Sequence, residues 1–504
     1  MSGGLSWLRQ TLNRLRGRGA AGDVIAANVE EGARGVAVGK NIIQIGSVIF
    51  PAWLLAAMVL GAIAVVFAIW LATTPARMDG AFNVAVAEFG TMGEDGRAHA
   101  SAEGKLLSRW VFDALRQEYA LHPEVTQGLA LQMWHDSLPF TAKRAQIGFI
   151  ADEKAARARA EQIGASVLIY GYLDRDHGFK PQFYVAHDLV RGDVDAVSGN
   201  YQLGEAVPVP FPIRLDDPGV RGALSVGPST RARALFWLSV GLTHEVVGES
   251  AQALAVFRQA EEQLATTWQE RDGKEILYFF IGREALFLSR DFPEAEYLDQ
   301  AEQAFAEAIR IGQKYHGDYA RAHIGLAGVY YERARQAPPE LRLETGDLAQ
   351  AIAEYQAALD LAPPETQVAA IARLGLGIAY RMQAEAHLVN GQDAEAEAGL
   401  VQAVDDLKQA VSPLAQADLY RFLAQAYLAL GASYHQLAYL RAEQGDRAAS
   451  LELYRQASDA YGLCIAQGET AAFDRILTQK IVADGCVPYQ RQAQAALSEL
   501  AAGN

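Results

Sequence analysis

From residue 229 to residue 466 the sequence reads as helix nearly throughout, and it repeats. One stretch gives the pattern without a gap: Trp237, Val240, Gly241, His244, Gly248, Ala253, Phe257 and Ala260 alternate large and small residues at fixed offsets. A repeating helical pair cannot cover its own apolar face, so successive pairs have to stack on one another. That requirement restricts this half of the chain to a solenoid.

Four further versions follow, each with an insertion between its halves. Tyr278, Ile281, Gly282 and Ala285 go with Ala301, Phe305 and Ala308, and Leu326, Ala327 and Tyr330 with Gly346, Ala351, Tyr355, Ala358 and Pro363. Leu376, Gly377 and Tyr380 go with Gly391, Ala396, Leu400 and Ala403, and Tyr427, Leu430, Gly431 and Tyr434 with Gly445, Tyr454 and Ala457. This spacing resembles the tetratricopeptide repeat, apart from His244 in an aromatic slot. The resemblance implies helix hairpins in which small residues let helices A and B approach while aromatics fill the gap to the next hairpin. In the last two versions the aromatic lies seven residues further from the turn glycine, about two helical turns, so longer A helices are expected there. Residues 467–504 are expected to supply capping helices. Cys464 near the end of one helix and Cys486 just after the next are candidates for a disulfide, with two buried thiols as the alternative.

Residues 1–47 form a basic segment, with Arg9, Arg14, Arg16, Arg18, Arg34 and Lys40 against Asp23, Glu30 and Glu31. Leu5, Leu8, Leu12 and Leu15 have helical spacing, suited to an anionic membrane surface or to an ordinary solvated helix. Short β-branched runs at Val24–Ile25, Val36–Val38 and Ile42–Ile45 suggest strands too small to fold alone. Pairing with copies of themselves would make a homo-oligomer; a plain linker is the alternative. Residues 48–72 carry no charge and are long enough for a bilayer core, which predicts a transmembrane helix with Trp53 and Trp70 near its ends. The positive flank before it predicts a single-pass cell-membrane protein, its N-terminus cytoplasmic and its C-terminal domains outside.

Residues 78–205 alternate strand and helix: strands at 82–89 and 131–135, helices at 104–119 and 153–163, and a strand pair across Asp176–Gly178. The runs VAVAEF and AEQIGASVLIYGYLDRD resemble the TolB amino-terminal/CsgG-like domain, which implies an envelope assembly or recognition module of α/β fold without catalytic residues. A Pro-rich connector, 206–228, separates it from the repeats. The expected fold class is therefore mainly α: a tetratricopeptide-type α-solenoid, preceded by a small α/β domain and one transmembrane helix.

The net charge of −16 disfavours a surface that tracks nucleic-acid phosphates. Catalytic chemistry is not legible. Gly104-Lys105 lacks the spacing and the hydroxyl residue of a phosphate loop, and no HExxH, G-x-S-x-G or G-x-G-x-x-G occurs. His135 beside Asp136 reads as at most a polar strand end, His323 and His435 as packing residues on repeat helices, and no metal or cofactor is expected. The chain is read as a membrane-anchored adaptor, not an enzyme. Its groove would hold a protein or peptide partner through Arg283, Arg321, Arg373 and Gln425, with membrane lipid touched by the anchor. A sensory receptor whose α/β domain binds a small ligand is the alternative.

Overall fold

The computed structural model describes residues 36–39, 42–45, 48–51, 57–63, 65 and 77–502, except 130, 139–145, 187–197, 215, 294–295, 316, 318, 473 and 475. Two units divide the chain, Met1–Pro75 and Ala76–Asn504.

In the first unit, β1 (Val36–Gly39), β2 (Ile42–Ile45) and β3 (Val48–Pro51) form an antiparallel meander in the order β1-β2-β3. The expected transmembrane helix is therefore corrected at its start: Val48 pairs with Ile45, Phe50 with Ile43 and Pro51 with Ile42. β-branched and aromatic residues favour extended backbone, and proline without an N–H sits well at a strand end. Residues 57–63 are helical, but no helix among the described residues is long and apolar enough to cross a membrane. The single-pass assignment, with its cytoplasmic N-terminus and exterior C-terminal part, is overturned by that finding. Residues 52–56, 66–72 and the leucine-spaced segment 5–16 lie outside the described residues.

The second unit opens with β4 (Phe82–Val86), β5 (Gly90–Met92), β6 (Ala98–Ala100), α1 (Ala102–Leu121), α2 (Pro123–Thr126) and β7 (Leu131–His135). α3 (Glu153–Ile163), β8 (Val167–Asp174), β9 (Gly178–Val185) and β10 (Gly199–Gln202) complete the sheet, whose main order is β10-β9-β8-β4-β7. β4 runs parallel to both β7 and β8, as short helical crossovers require, while β8, β9 and β10 are antiparallel. Alternation along β4 assigns the two faces: Phe82, Val84 and Val86 pack with Leu107, Val111 and Phe112 of α1, and Ala85 and Ala87 with Ala156, Ala160 and Ile163 of α3. α3 begins where the Asp152 carboxylate accepts from the Ala155 N–H and ends at left-handed Gly164.

Five hairpins follow: α4 (Pro218–Val246) with α5 (Ser250–Gln263), α6 (Lys274–Asp291) with α7 (Tyr297–Tyr315), and α8 (Ala320–Gln336) with α9 (Asp347–Leu361). α10 (Gln367–Val389) pairs with α11 (Asp393–Gln416), and α12 (Tyr420–Glu443) with α13 (Arg447–Thr470). A π-helical segment, Ile476–Cys486, and α14 (Val487–Ala502) close the end. α10 and α12, of 23 and 24 residues, exceed the 18 and 17 of α6 and α8, and their B partners lengthen with them. α4 reaches back across much of the expected connector to Pro218, with Pro228 inside it.

One packing rule repeats along the stack. A Cβ at Gly241 would overlap the Phe257 ring of the same hairpin, and one at Gly282 would lie 2.9 Å from Phe305. Phe305 also fills the space above Gly325 of the next A helix, and Tyr355 does the same to Gly375. Phe305 thus wedges between two glycine-bearing A helices, Phe257 and Tyr355 each meet one such glycine, and in the fourth hairpin Gly377 meets Leu407 instead of an aromatic. Gly431 meets Tyr461 instead of Tyr454, which stands edge-on to His435. Gly241→Leu is expected to force Phe257 out and to cost at least the usual overpacking penalty of about 1–3 kcal/mol. Amide exchange should then lose protection over 230–310 before it does at α12 and α13, since stability passes between neighbours; uniform loss, or none, would show the wedge to be unimportant.

The α1 side of the sheet, the first two hairpins and α8 share one continuous apolar cluster, from Phe82 to Val329. Polar contacts extend this junction along the solenoid. Trp110 donates to Ser229 Oγ (3.3 Å) and Arg233 to Glu118 (2.8 Å), while His122 lies 5.0 Å from the Trp237 ring. Tyr201 of β10 packs 5.9 Å from Phe280 and carries the Arg321 guanidinium 4.5 Å above it. Gln367 donates to the Ser198 carbonyl at 3.0 Å, and Arg157 of α3 reaches Asp418, just before α12, at 3.1 Å.

Candidate functional site

On α6, residues 279, 283, 286, 287 and 290 recur at helical spacing, which places Phe279, Arg283, Leu286, Phe287 and Arg290 along one face. The same periodicity aligns Arg321, Ile324, Gly328 and Tyr331 on α8, then Gln367, Ile371, Leu374 and Ile378 on α10. With Phe422 and Gln425 of α12 these faces line one groove of about 260 Å³ across four successive A helices. Its floor is apolar because the B-helix aromatics Phe305 and Tyr355 show through beside Gly325 and Gly375.

The groove's charged lining residues are Arg283, Arg290 and Arg321, with no Asp or Glu among them. Arg283 is anchored below the surface: its Nη1 lies 2.5 Å from Glu245 and 2.8 Å from Glu284, and all three side chains are buried. Burial pushes the Glu284 carboxyl above its ordinary range, against the opposing pull of Arg283. The Arg283 guanidinium lies 4.4 Å from the Phe287 ring centre, and that of exposed Arg290 lies 5.2 Å from it. Arg321 bridges to the sheet, donating to the Asn200 carbonyl at 3.4 Å and stacking on Tyr201. Gln367, beside it, is held by Ser198. The α/β domain thus fixes two groove side chains from outside.

Of the four positions selected from the sequence, Arg283, Arg321 and Gln425 line this groove, and Arg373 does not. The charge of Arg373 acts on Asp406 of α11, a carboxyl that burial raises. Sequence reasoning missed Arg290, although it lies seven residues, two helical turns, beyond Arg283. It also missed Gln367, whose role depends on a strand distant in the sequence. The repeat-signature residues Trp237, Ala253, Phe257, Phe305, Tyr355, Tyr434 and Tyr454 are buried, while Tyr330 and Tyr380 are partly exposed, and Tyr330 donates to Glu302 at 3.0 Å.

The cysteine pair is joined: Cys464 and Cys486 form a disulfide across Cα atoms 6.3 Å apart. His135 has a serine on each ring nitrogen, Ser108 Oγ at 3.1 Å from Nε2 and Ser137 Oγ at 2.7 Å from Nδ1. Ser108 and His135 are buried and the imidazole stacks on Phe112, so the pair packs the sheet against α1.

Stacked helix hairpins with a shared inner face, joined to a small α/β layer, define a helical-repeat solenoid. No family model matches the chain, and no curated protein matches it. Among solved structures it is similar to a thermophilic tetratricopeptide-repeat protein of Thermus thermophilus, with 19% identity, 47% of this chain and 95% of that chain covered, and a TM-score of 0.27.

Proposed function

We propose that this chain is a protein-interaction scaffold that holds a segment of a protein partner in the groove of α6, α8, α10 and α12. The observation that carries this reading is the groove itself: an apolar floor continuous over four A helices, edged by arginine and glutamine side chains. Protein-binding sites commonly combine such an apolar centre with polar groups that fix orientation. The α/β domain, resembling the TolB amino-terminal/CsgG-like module, contributes to the scaffold by positioning Arg321 and Gln367 and presents a further docking surface of its own.

The test places a photoactivatable crosslinking residue at Phe287 or Ile378 in the full-length chain, with Val401, exposed on α11, as the control position. Discrete adducts are expected from the groove positions in cells and none from Val401. The same adduct pattern from all three positions would refute the assignment of the groove.

A further inference from the structure

We infer that the partner segment held in this groove is acidic and inserts a large apolar side chain between α6 and α10. This rests on the scaffold reading and adds the chemistry of the partner.

Charge supplies the first argument. The whole chain is acidic, with 60 Asp and Glu against 44 Lys and Arg, yet every charged residue lining the groove is an arginine. A cationic recess on an anionic molecule selects carboxylate-bearing segments and repels basic ones, chiefly through orientation and encounter rate.

The arginines differ in what they can offer. Arg283 is already committed to Glu245 and Glu284, and Arg321 is tied to the sheet. Arg290 is exposed, is braced by the Phe287 ring and has no ion-pair partner among the described residues. A planar guanidinium held on an aromatic face presents its edge to a carboxylate and loses little side-chain freedom in doing so. The primary contact assigned to the partner is therefore an Asp or Glu on Arg290.

Shape supplies the second argument. A volume near 260 Å³ accommodates one or two large side chains and not a whole helix. Gly328 deepens it where a Cβ would come within 3.1 Å of Leu286, and Phe287, Ile371 and Ile378 offer apolar walls. An aromatic or branched side chain on the partner buries its surface there, while flanking carboxylates remain at the rim.

The experiment uses the full chain and three fluorescent peptides that share a Trp-Leu centre and differ only in flanking residues, which are Glu, Gln or Lys. Fluorescence anisotropy is expected to rank them Glu, then Gln, then Lys, with roughly tenfold between the extremes at low salt and less at high salt. Arg290→Glu should invert the order, and Ile371→Ala should weaken all three peptides without changing it. Equal binding of the three peptides, abolished by Ile371→Ala, overturns the acidic partner while leaving an apolar scaffold groove. Absence of binding by any peptide also overturns this proposal; the crosslinking outcome at Phe287 then decides separately whether the groove receives a partner.

Discussion

Replacing Arg283 with Met is expected to destabilise the chain by about 3–5 kcal/mol, because it leaves two buried carboxylates without their shared cation. Glu245 and Glu284 contribute from different helices, α4 and α6, so the loss falls on the contact between the first two hairpins. The deficit should depend on pH in a defined direction. Burial raises the Glu284 carboxyl above its unfolded value, so its contribution is fully present below the ordinary glutamate pKa and fades as pH rises through the raised one. Without the guanidinium that value rises further, and the gap between variant and parent should widen from about pH 5 to about pH 8. Chemical denaturation at the two pH values measures it. Replacing all three residues with apolar ones should recover most of the loss, since the penalty lies in the unpaired charges. A gap independent of pH would mean that Arg283 acts through packing on Phe287 instead.

Removing the disulfide is the second large effect. The bridge spans 22 residues, for which chain entropy gives about 3 kcal/mol. Cys464 and Cys486 sit with Ala424, Leu477 and Ile481 in a small apolar cluster, and Arg421 reaches Asp474 at 2.8 Å beside it. This cluster joins the terminal segment to α12. In Cys464→Ala/Cys486→Ala, exchange protection is therefore expected to fall first over 476–502, then at α12, and last at α4. Reductant applied to the parent chain should give the same order. Identical protection in oxidised and reduced chains would show that the apolar cluster alone holds the end in place.

Much of this architecture is written locally. Asp152 and Gly164 mark the ends of α3 in the sequence itself, and the glycine and aromatic spacing locates all five hairpins. Where the signal is weak the elements were missed: β5 and β6 lie in GTMGEDGRAHA, which has almost no β-branched residue, and β10 is only GNYQ. Pairing of β5 with β8, of β6 with β5 and of β10 with β9 makes them strands, and pairing is not a local property. The uncharged run from Val48 misled for the opposite reason. Hydropathy describes length and polarity, but Val48–Pro51 has an antiparallel partner close upstream in β2, and that competition is invisible to a window average. For the groove, helical periodicity found one residue on most A helices. It could not find the residues that matter because β10 reaches them, nor show that Arg373 lies outside the groove lining.

The contacts of the α/β layer have a mechanical consequence. Its side chains touch the solenoid at α4 through Trp110, at α6 through Tyr201, at α8 and α10 through Asn200 and Ser198, and at the start of α12 through Arg157. A free stack of hairpins is a spring, since each joint flexes independently of all but its neighbours. Here the sheet runs alongside as a stay fastened at every coil, so curvature cannot change without breaking several of these ties together. For the proposed scaffold this means that little ordering entropy would be lost by the chain on binding, and the adjustment of shape would fall on the partner.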